Sequence, residues 1–470
     1  MLTLSVERLL EITGGELLAG SADAMVNGVA IDSRDVSPGN AFVALPGERV
    51  DGHDFAPAAL EAGARAVVVT RASTELQDVL TDATSRGTSI VRVVDALEAV
   101  QALASYHRGR LFCPVIGVTG STGKTTTKDF LVSVLSRRFK VVATAGNQNN
   151  DLGVPLTIFE AGADTDALIV EMAMRGAGQI ARLARIASPT VGLITNVGTS
   201  HIELLGSQDA IAHAKGELVA SVPSNGAVFL NGDDAFSEMI AKTSMAPVTY
   251  YGYCGGCTVT AEGVEVDMMS LPSFDLVVGE NRAHVRLCVP GRHNVYNALA
   301  AAAVAMHLGM SAGEIAVGLE EARAGDMRMQ SFETASGITV INDAYNANPT
   351  SMRAAVETLA GMTAATKRVA VLGDMAELGS LTELAHFRIG EDVARLGIDV
   401  LVTVGERARH IADGARAAGM NDETIRPCAA VAEAGEVLDD VVDPGDVVLV
   451  KASRVMGLEA VVEGLVEPRV

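Results

Sequence analysis

The sequence predicts an α/β protein of three domains: a small mixed α/β domain, a central domain with a mostly parallel sheet and a phosphate-binding loop, and a third, Rossmann-like α/β domain. Three observations carry that expectation. Short Val-rich runs alternate with longer helical patterns, the order that βαβ units leave in a sequence. At 470 residues the chain exceeds what one hydrophobic core organises. Trp is absent and aromatic residues are only 4%, so the core must rest on Val, Leu, Ile and Ala, which suits sheets covered on both faces.

The first domain, 1–108, holds the turn-rich stretch Asp32-Ser33-Arg34-Asp35-Val36-Ser37-Pro38-Gly39, then extended runs at 42–45 and 66–70. A helical pattern over 97–110 ends in a basic, glycine-containing patch, and Cys113-Pro114 leads into the next strand, which places a boundary there. The second domain, 109–325, has strand patterns at 115–119, 168–171, 191–195 and 228–231, and ends near an Ala-rich helix over 298–308. The third, 326–470, repeats the alternation with strands at 338–342, 369–372, 400–404 and 447–450.

A formal charge of −22 opposes wrapping a nucleic-acid backbone, whose affinity comes from clustered Lys and Arg. A phosphorylated small molecule remains compatible, because a few local cations and backbone N–H groups bind phosphate whatever the global charge. Five scattered cysteines are too few for a disulfide framework, and a reducing cytoplasm is the expected compartment. No basic segment followed by an apolar run opens the chain and no window of about 18 apolar residues appears, so no membrane insertion is expected. Cys254-Gly255-Gly256-Cys257 lacks a second Cys or His pair to complete a metal site and reads as a glycine hairpin with two free thiols.

The run Val115-Ile116-Gly117-Val118-Thr119 passes through Gly120-Ser121-Thr122-Gly123-Lys124-Thr125 into a helix from Thr126 to about residue 135. Strand, glycine loop, helix is the context a phosphate loop requires. Glycines let backbone N–H groups approach phosphate oxygens, the helix N-terminus adds partial positive charge, Lys124 a point charge, and Thr125 an oxygen for Mg²⁺. The general form of this loop has glycine five residues before Gly123, where this chain has Val118, so the match is to a subfamily.

Glu171 ends a strand, at the carboxyl edge where open α/β sheets gather ligands; a solvated strand-end Glu is the plainer reading. His201 lies in the polar loop after the next strand, where a structural or surface role is as natural as a ligand role. Lys215 shares a helical face with Ile211, Leu218 and Val219, so a lysine sits on an apolar stripe, or snorkels from the core edge. In Gly291-Arg292-His293-Asn294-Val295-Tyr296-Asn297, side-chain donors and acceptors suit a purine edge, although Asn294 also reads as a helix cap.

The loop 119–127 resembles that of the Mur ligases, which build the peptide stem of peptidoglycan. Gly146-Asn147-Gln148-Asn149-Asn150-Asp151-Leu152-Gly153-Val154-Pro155, Asp343-Ala344-Tyr345-Asn346-Ala347-Asn348-Pro349 and Gly373-Asp374-Met375-Ala376-Glu377-Leu378-Gly379 resemble the branch of that family that adds D-alanyl-D-alanine. The likeness runs from Asp32-Ser33-Arg34 to Lys451-Ala452-Ser453-Arg454, in the family's motif order.

The resemblance implies an N-terminal domain for the uridine nucleotide, a central ATPase domain and a C-terminal ligase domain. It implies ATP-dependent joining of D-alanyl-D-alanine to UDP-N-acetylmuramoyl-tripeptide through an acyl phosphate, with Mg²⁺, by a cytoplasmic monomer. By the same resemblance, Gly120, Ser121, Thr122, Gly123, Lys124, Thr125, Thr126, His293, Asn294, Asn297, Arg328, Asp343 and Asn346 meet ATP. Ser33 and Arg34 meet the uridine nucleotide, while Asn147, Asn149 and Asn150 line the sugar-peptide site. Thr125, Glu171, His201 and Lys215 hold metal, Lys215 as a carbamate formed with CO₂; Lys124, Lys215 and His201 are the catalytic set.

Two departures stand out: Gly325-Asp326-Met327-Arg328 where the family commonly has Gly-Arg, and Ala452 where Gly is usual. The ligase that adds the third stem residue usually carries Asp-Asn-Pro-Arg, which this sequence lacks, and folate-type ligases lack such a first domain. A switch or motor ATPase would not need Lys215 on an apolar face.

Overall fold

Runs such as Ala66–Val69 and Val400–Val404 are wholly buried β-branched stretches, which pack well in pleated sheets covered on both sides. In the computed structural model, which describes residues 2–47, 50–323, 325–364 and 366–466, these runs assemble into two units. The first comprises 1–117, 139–173 and 180–190; the second comprises 118–138, 174–179 and 191–470.

The first unit contains a five-stranded sheet in the order Glu16–Ala19, Ser89–Arg92, Ala66–Val69, Ala41–Val43, Val29–Ala30. Only its first pair is antiparallel. Phe42, Leu60, Val67, Val69 and Ile90 form its core. The helix Ala96–Arg108 ends in the basic patch read as a boundary, and there Arg108 is buried. Its guanidinium donates to the carbonyls of Leu111, Ala187 and Ser188 at 2.8–3.0 Å, satisfying the end of the helix Gln179–Ala187. Val141–Ala143 and Ala167–Glu171 pair in parallel in the same unit.

In the second unit, Val191–Ile194, Ala227–Asn231 and Val248–Tyr251 run parallel. An antiparallel arm follows, made of Val259–Val266, Pro272–Val278 and Asn281–Arg286, beyond the strand patterns expected for the second domain. Its signal was alternation: Val259 and Ala261, then Phe274, Leu276 and Val278, face inward while their neighbours face water. Between Tyr251 and Val259, Cys254 and Cys257 form a disulfide across the glycine turn, correcting the expectation of two free thiols. The two-residue spacer folds back far enough to bring the Cα atoms to 5.4 Å, within disulfide reach.

A six-stranded sheet completes this unit in the order Gln330–Glu333, Thr339–Asn342, Val447–Lys451, Arg368–Gly373, Val400–Val404, Ile425–Cys428. Every pair but the first is parallel. The helix Asn294–His307 is buried all round from Asn297 to Ala305, and packs on the helix Lys124–Leu135 that follows the glycine loop. Alanines allow that close approach; a second helix, Ala312–Glu321, also packs on Lys124–Leu135, closely enough that a Cβ on Gly318 would meet Val134 Cα at 2.5 Å.

Candidate active site

The glycine loop is shaped by two backbone positions. Gly120 (φ +155°) and Gly123 (φ +77°) occupy conformations that side chains rarely adopt, and a Cβ on either would overlap Thr195 Oγ1 or Asn297 Oδ1. The loop is held from below by the 195–198 segment. Ser121 N–H donates to Asn196 O at 3.0 Å, Thr122 N–H to Asn196 Oδ1 at 3.1 Å, and Gly198 N–H to Ser121 Oγ at 2.8 Å. Thr195 Oγ1 donates to Thr122 O at 2.6 Å. With those two amides engaged, an anion would meet the first turn of Lys124–Leu135, the end of a helix that carries partial positive charge. Lys124 Nζ donates to Gly120 O at 2.8 Å, folded over the loop.

A chain of amides secures the helix behind it. Thr127 Oγ1 donates to Asn297 Oδ1 at 3.2 Å, Asn297 Nδ2 to Asn294 Oδ1 at 2.8 Å, and Asn294 Nδ2 to Pro290 O at 2.7 Å. Asn294 is the first residue of its helix rather than the cap, a position held by His293. His293 is half-buried, and its pKa is pushed down to about 4, chiefly by desolvation; Asp343 raises it and Lys451 lowers it.

His201 and Glu377 come together across 176 residues: His201 Nδ1 hydrogen-bonds Glu377 Oε2. Both residues have positive φ, +64° and +60°, a strained conformation that collects at functional sites. Arg175 reaches the other Glu377 oxygen at 3.5 Å. Burial lowers the pKa of His201, Glu377 raises it, and Lys124 and Lys215 lower it further, so the imidazole belongs to the same electrostatic cluster as both lysines.

Lys215 lies mid-way along the helix Gln208–Ser221, on the face of Ile211, Leu218 and Val219, and is 2% exposed. Its pKa falls well below the ordinary lysine value because burial disfavours the ammonium and Lys124 repels it. His213, which the sequence left unassigned, is exposed, and its ring bonds Asp209 O at 2.8 Å.

Further along the chain, Asp343 accepts from Lys451 Nζ at 2.5 Å and from Met329 N–H at 3.1 Å, and Lys451 also donates to Asn346 O at 2.9 Å. The Arg328 guanidinium lies 3.8 Å from the centre of the Tyr345 ring, flanked by Met327 and Met329, both with positive φ. Lys451 and Glu377 were visible in the sequence only as motif letters. Their partners are set by long-range contacts, so no local spacing could have assigned them.

In the first unit, Asp32 caps the turn Ser33–Asp35, and its carboxylate, held down to about 2 by Arg34, pairs with that guanidinium on the surface. Asn149 Nδ2 donates to Glu171 Oε1 at 2.8 Å, and Glu171 N–H donates to Thr144 Oγ1 at 2.9 Å, leaving the carboxylate 1% exposed at its strand end. Asn150 Oδ1 accepts from Leu152 and Gly153 N–H at the start of the helix Gly153–Glu160, while Asn147 is exposed.

Comparison with known proteins bears on this geometry. The chain matches "Mur ligase family, catalytic domain" over residues 25–108, "Mur ligase middle domain" over 118–305 and "Mur ligase, glutamate ligase domain" over 327–454. It is 41% identical over 503 residues to the UDP-N-acetylmuramoyl-tripeptide–D-alanyl-D-alanine ligase of Mycobacterium tuberculosis, covering 99% of this chain and 98% of that one. The Bacillus subtilis ligase of the same name is 34% identical, with 99% of each chain covered. Among solved structures, MurF from Acinetobacter baumannii superposes with a TM-score of 0.88 at 31% identity over the full length of both chains. MurF ligase from Thermotoga maritima in complex with ADP superposes at 0.80, with 27% identity, 94% of this chain and 97% of that one covered. The chain belongs to the Mur ligase family and, within it, to the MurF ligases.

Proposed function

We propose that this chain joins D-alanyl-D-alanine to UDP-N-acetylmuramoyl-tripeptide in peptidoglycan precursor synthesis, forming a C–N bond while ATP becomes ADP and phosphate. The observation that carries the reading is the cluster of Lys124, His201 and Lys215 beside a glycine loop that opens a helix. Likeness across almost the whole length to ligases of that name supports the substrates. We divide the chain into three working domains, 1–108, 109–325 and 326–470, a reading supported by family matches over 25–108, 118–305 and 327–454, and the cytoplasm is where such precursors and ATP are found together. Among the described residues no helix is long and apolar enough to cross a membrane.

A carboxylate and an amine do not condense in neutral water, so the carboxylate must become a better electrophile. Its oxygen takes the γ-phosphoryl group; the bond between that phosphorus and the ADP oxygen breaks, and ADP leaves with the electron pair. The dipeptide's amine nitrogen then attacks the acyl carbon, the new C–N bond forms, the nitrogen gives up a proton to solvent, and the acyl C–O bond breaks with its electron pair going to inorganic phosphate. Lys124 and the first turn of Lys124–Leu135 hold the negative oxygens of the transferring group. We assign nucleotide contacts to residues 120–126, His293, Asn294, Asn297, Arg328, Asp343 and Asn346. Ser33, Arg34, Asn147, Asn149 and Asn150 are assigned to the tripeptide nucleotide.

The donors fit a hard cation. Glu171 offers a buried carboxylate in the first unit and Thr125 a hydroxyl in the second, each an oxygen ligand of the kind Mg²⁺ prefers. Mg²⁺ held by such groups would neutralise charge on the phosphate oxygens. Lys215 fits carbamate formation: burial favours the free amine that reacts with CO₂, and no hydrogen-bond acceptor for Nζ is present among the described residues. As a carbamate it supplies a negative group beside Lys124 and His201.

Phosphate release measured with each substrate omitted in turn tests the reading, and ¹⁸O in the tripeptide carboxylate must appear in the liberated phosphate. Phosphate release that ignores the dipeptide would instead mark an ATPase switch.

A further inference from the structure

A cavity of about 310 Å³ lies between the loop after Val191–Ile194 and two helices, Pro349–Gly361 and Thr382–Arg395. That is the low end for small-molecule sites, which run roughly from 300 to 1,000 Å³. Its polar lining is Thr199, Thr350, Arg353, Arg388 and Asp392; Leu384 and Ile389 supply apolar walls. The two arginines differ. Arg353 is committed, donating from Nε and Nη2 to Asp392 at 2.8 and 3.1 Å. Arg388 has no hydrogen-bond or ion-pair partner among the described residues, so a cation is presented to the cavity in a chain of formal charge −22.

One wall of this cavity belongs to the support of the glycine loop. Thr199 follows Gly198, whose N–H donates to Ser121 Oγ at 2.8 Å, and a Cβ on Gly198 would stand 3.5 Å from Thr350 Oγ1. A second strut, Asn348 Nδ2 to Ser200 Oγ at 3.0 Å, fixes the start of the helix Pro349–Gly361 against the same loop. The site therefore offers one guanidinium for an anionic end, short apolar walls, and an opposite end beside the phosphate loop.

We propose that this cavity takes the amine substrate of the ligation: a short peptide of small apolar residues, its terminal carboxylate on Arg388 and its amino end directed to the glycine loop. A planar guanidinium matches a carboxylate, whereas an amide end would lose the charge-assisted pair. The proposal rests on the ligase reading above and adds the residue that recognises the incoming peptide.

The test is steady-state kinetics with D-alanyl-D-alanine and with its C-terminal amide, on wild type, Arg388→Ala, Arg388→Lys and Leu384→Trp. Wild type should favour the free acid over the amide by roughly ten- to hundredfold in kcat/KM, the range expected for a hydrogen bond to a charged group. Arg388→Ala should raise the dipeptide KM by that factor and abolish the preference, leaving the ATP KM within about twofold, while Arg388→Lys restores part of it. Leu384→Trp, which fills the cavity, should raise KM for acid and amide alike.

An Arg388→Ala enzyme that still prefers the acid, or a wild type that uses the amide equally well, overturns the cavity assignment while leaving the ligase reading intact. Wild-type phosphate release that is independent of dipeptide overturns both. Should Arg388→Ala fail to fold, the acid-to-amide ratio of wild type and the Leu384→Trp response decide the matter.

Discussion

Two lysines of the second unit are withdrawn from water to the same extent, 2% exposed each, yet they sit in opposite surroundings. Lys451, at the end of Val447–Lys451, is met by Asp343 Oδ2 at 2.5 Å and Asn346 O at 2.9 Å. Lys215, inside Gln208–Ser221, faces Ile211, Leu218 and Val219, with Lys124 near enough to repel it. Partners of opposite charge make a buried ammonium a brace, whereas burial without them disfavours the charged form. Burial alone does not tell structure from chemistry; what meets the buried atom does.

The largest effect tests the third lysine, which is folded over the loop. Lys124→Ala should lower turnover by roughly a thousandfold, because the proposed mechanism then loses its cation on the transferring phosphoryl group. Stability should hardly change, and single-turnover kinetics with a thermal melt check both halves. Next, Lys451→Met leaves the half-buried Asp343 without its ion-pair partner, so urea denaturation should show a loss of about 2 kcal/mol or more. Lys451→Met with Asp343→Leu should recover much of it. A single variant as stable as wild type would break the comparison from the structural side.

His293 reads the pair from beside it. Its folded pKa of about 4 lies below its ordinary value, so the unfolded chain binds a proton that the folded one refuses between roughly pH 4 and 6.5. Stability is therefore full above that window and is lost as pH falls through it. The loss attributable to this residue should approach about 3 kcal/mol near pH 4. His293→Gln should flatten that part of the pH–stability curve, and Lys451→Met, by removing a repelling charge, should shift the ring's NMR titration upward.

The smallest stability effect belongs to Lys215. Replacement by Met puts an apolar chain where an unpaired amine stood, so stability should hold or rise by about 1 kcal/mol in CO₂-free buffer. The gain should shrink as pH rises toward the unfolded lysine pKa, because the unfolded wild-type chain then stops binding the extra proton. Turnover, in contrast, should collapse, and Lys215→Ala should be partly rescued by acetate. A marked loss of stability in Lys215→Met would mean that the amine has a bracing role after all.

What the sequence alone determined is whatever depends on neighbours along the chain. Residues 115–135 were legible as strand, glycine loop and helix, because periodicity and the glycines at 120 and 123 act over a few residues. Lys215 on an apolar helical face was legible for the same reason. So were the Val-rich strands of the third sheet, though not their spatial order, in which Val447–Lys451 is inserted between Thr339–Asn342 and Arg368–Gly373.

Only the tertiary structure decided the pairings across long separations: His201 with Glu377, Lys451 with Asp343, Asn196 with the loop, and the cavity joining Thr199 to Arg388. It also decided that Asn294 and Asn297 hydrogen-bond to one another, and that Cys254 and Cys257 are joined. The reason is physical. A side chain's propensity is written in its own chemistry, whereas its pKa and its partner depend on which distant groups the packed sheets bring within a few ångströms.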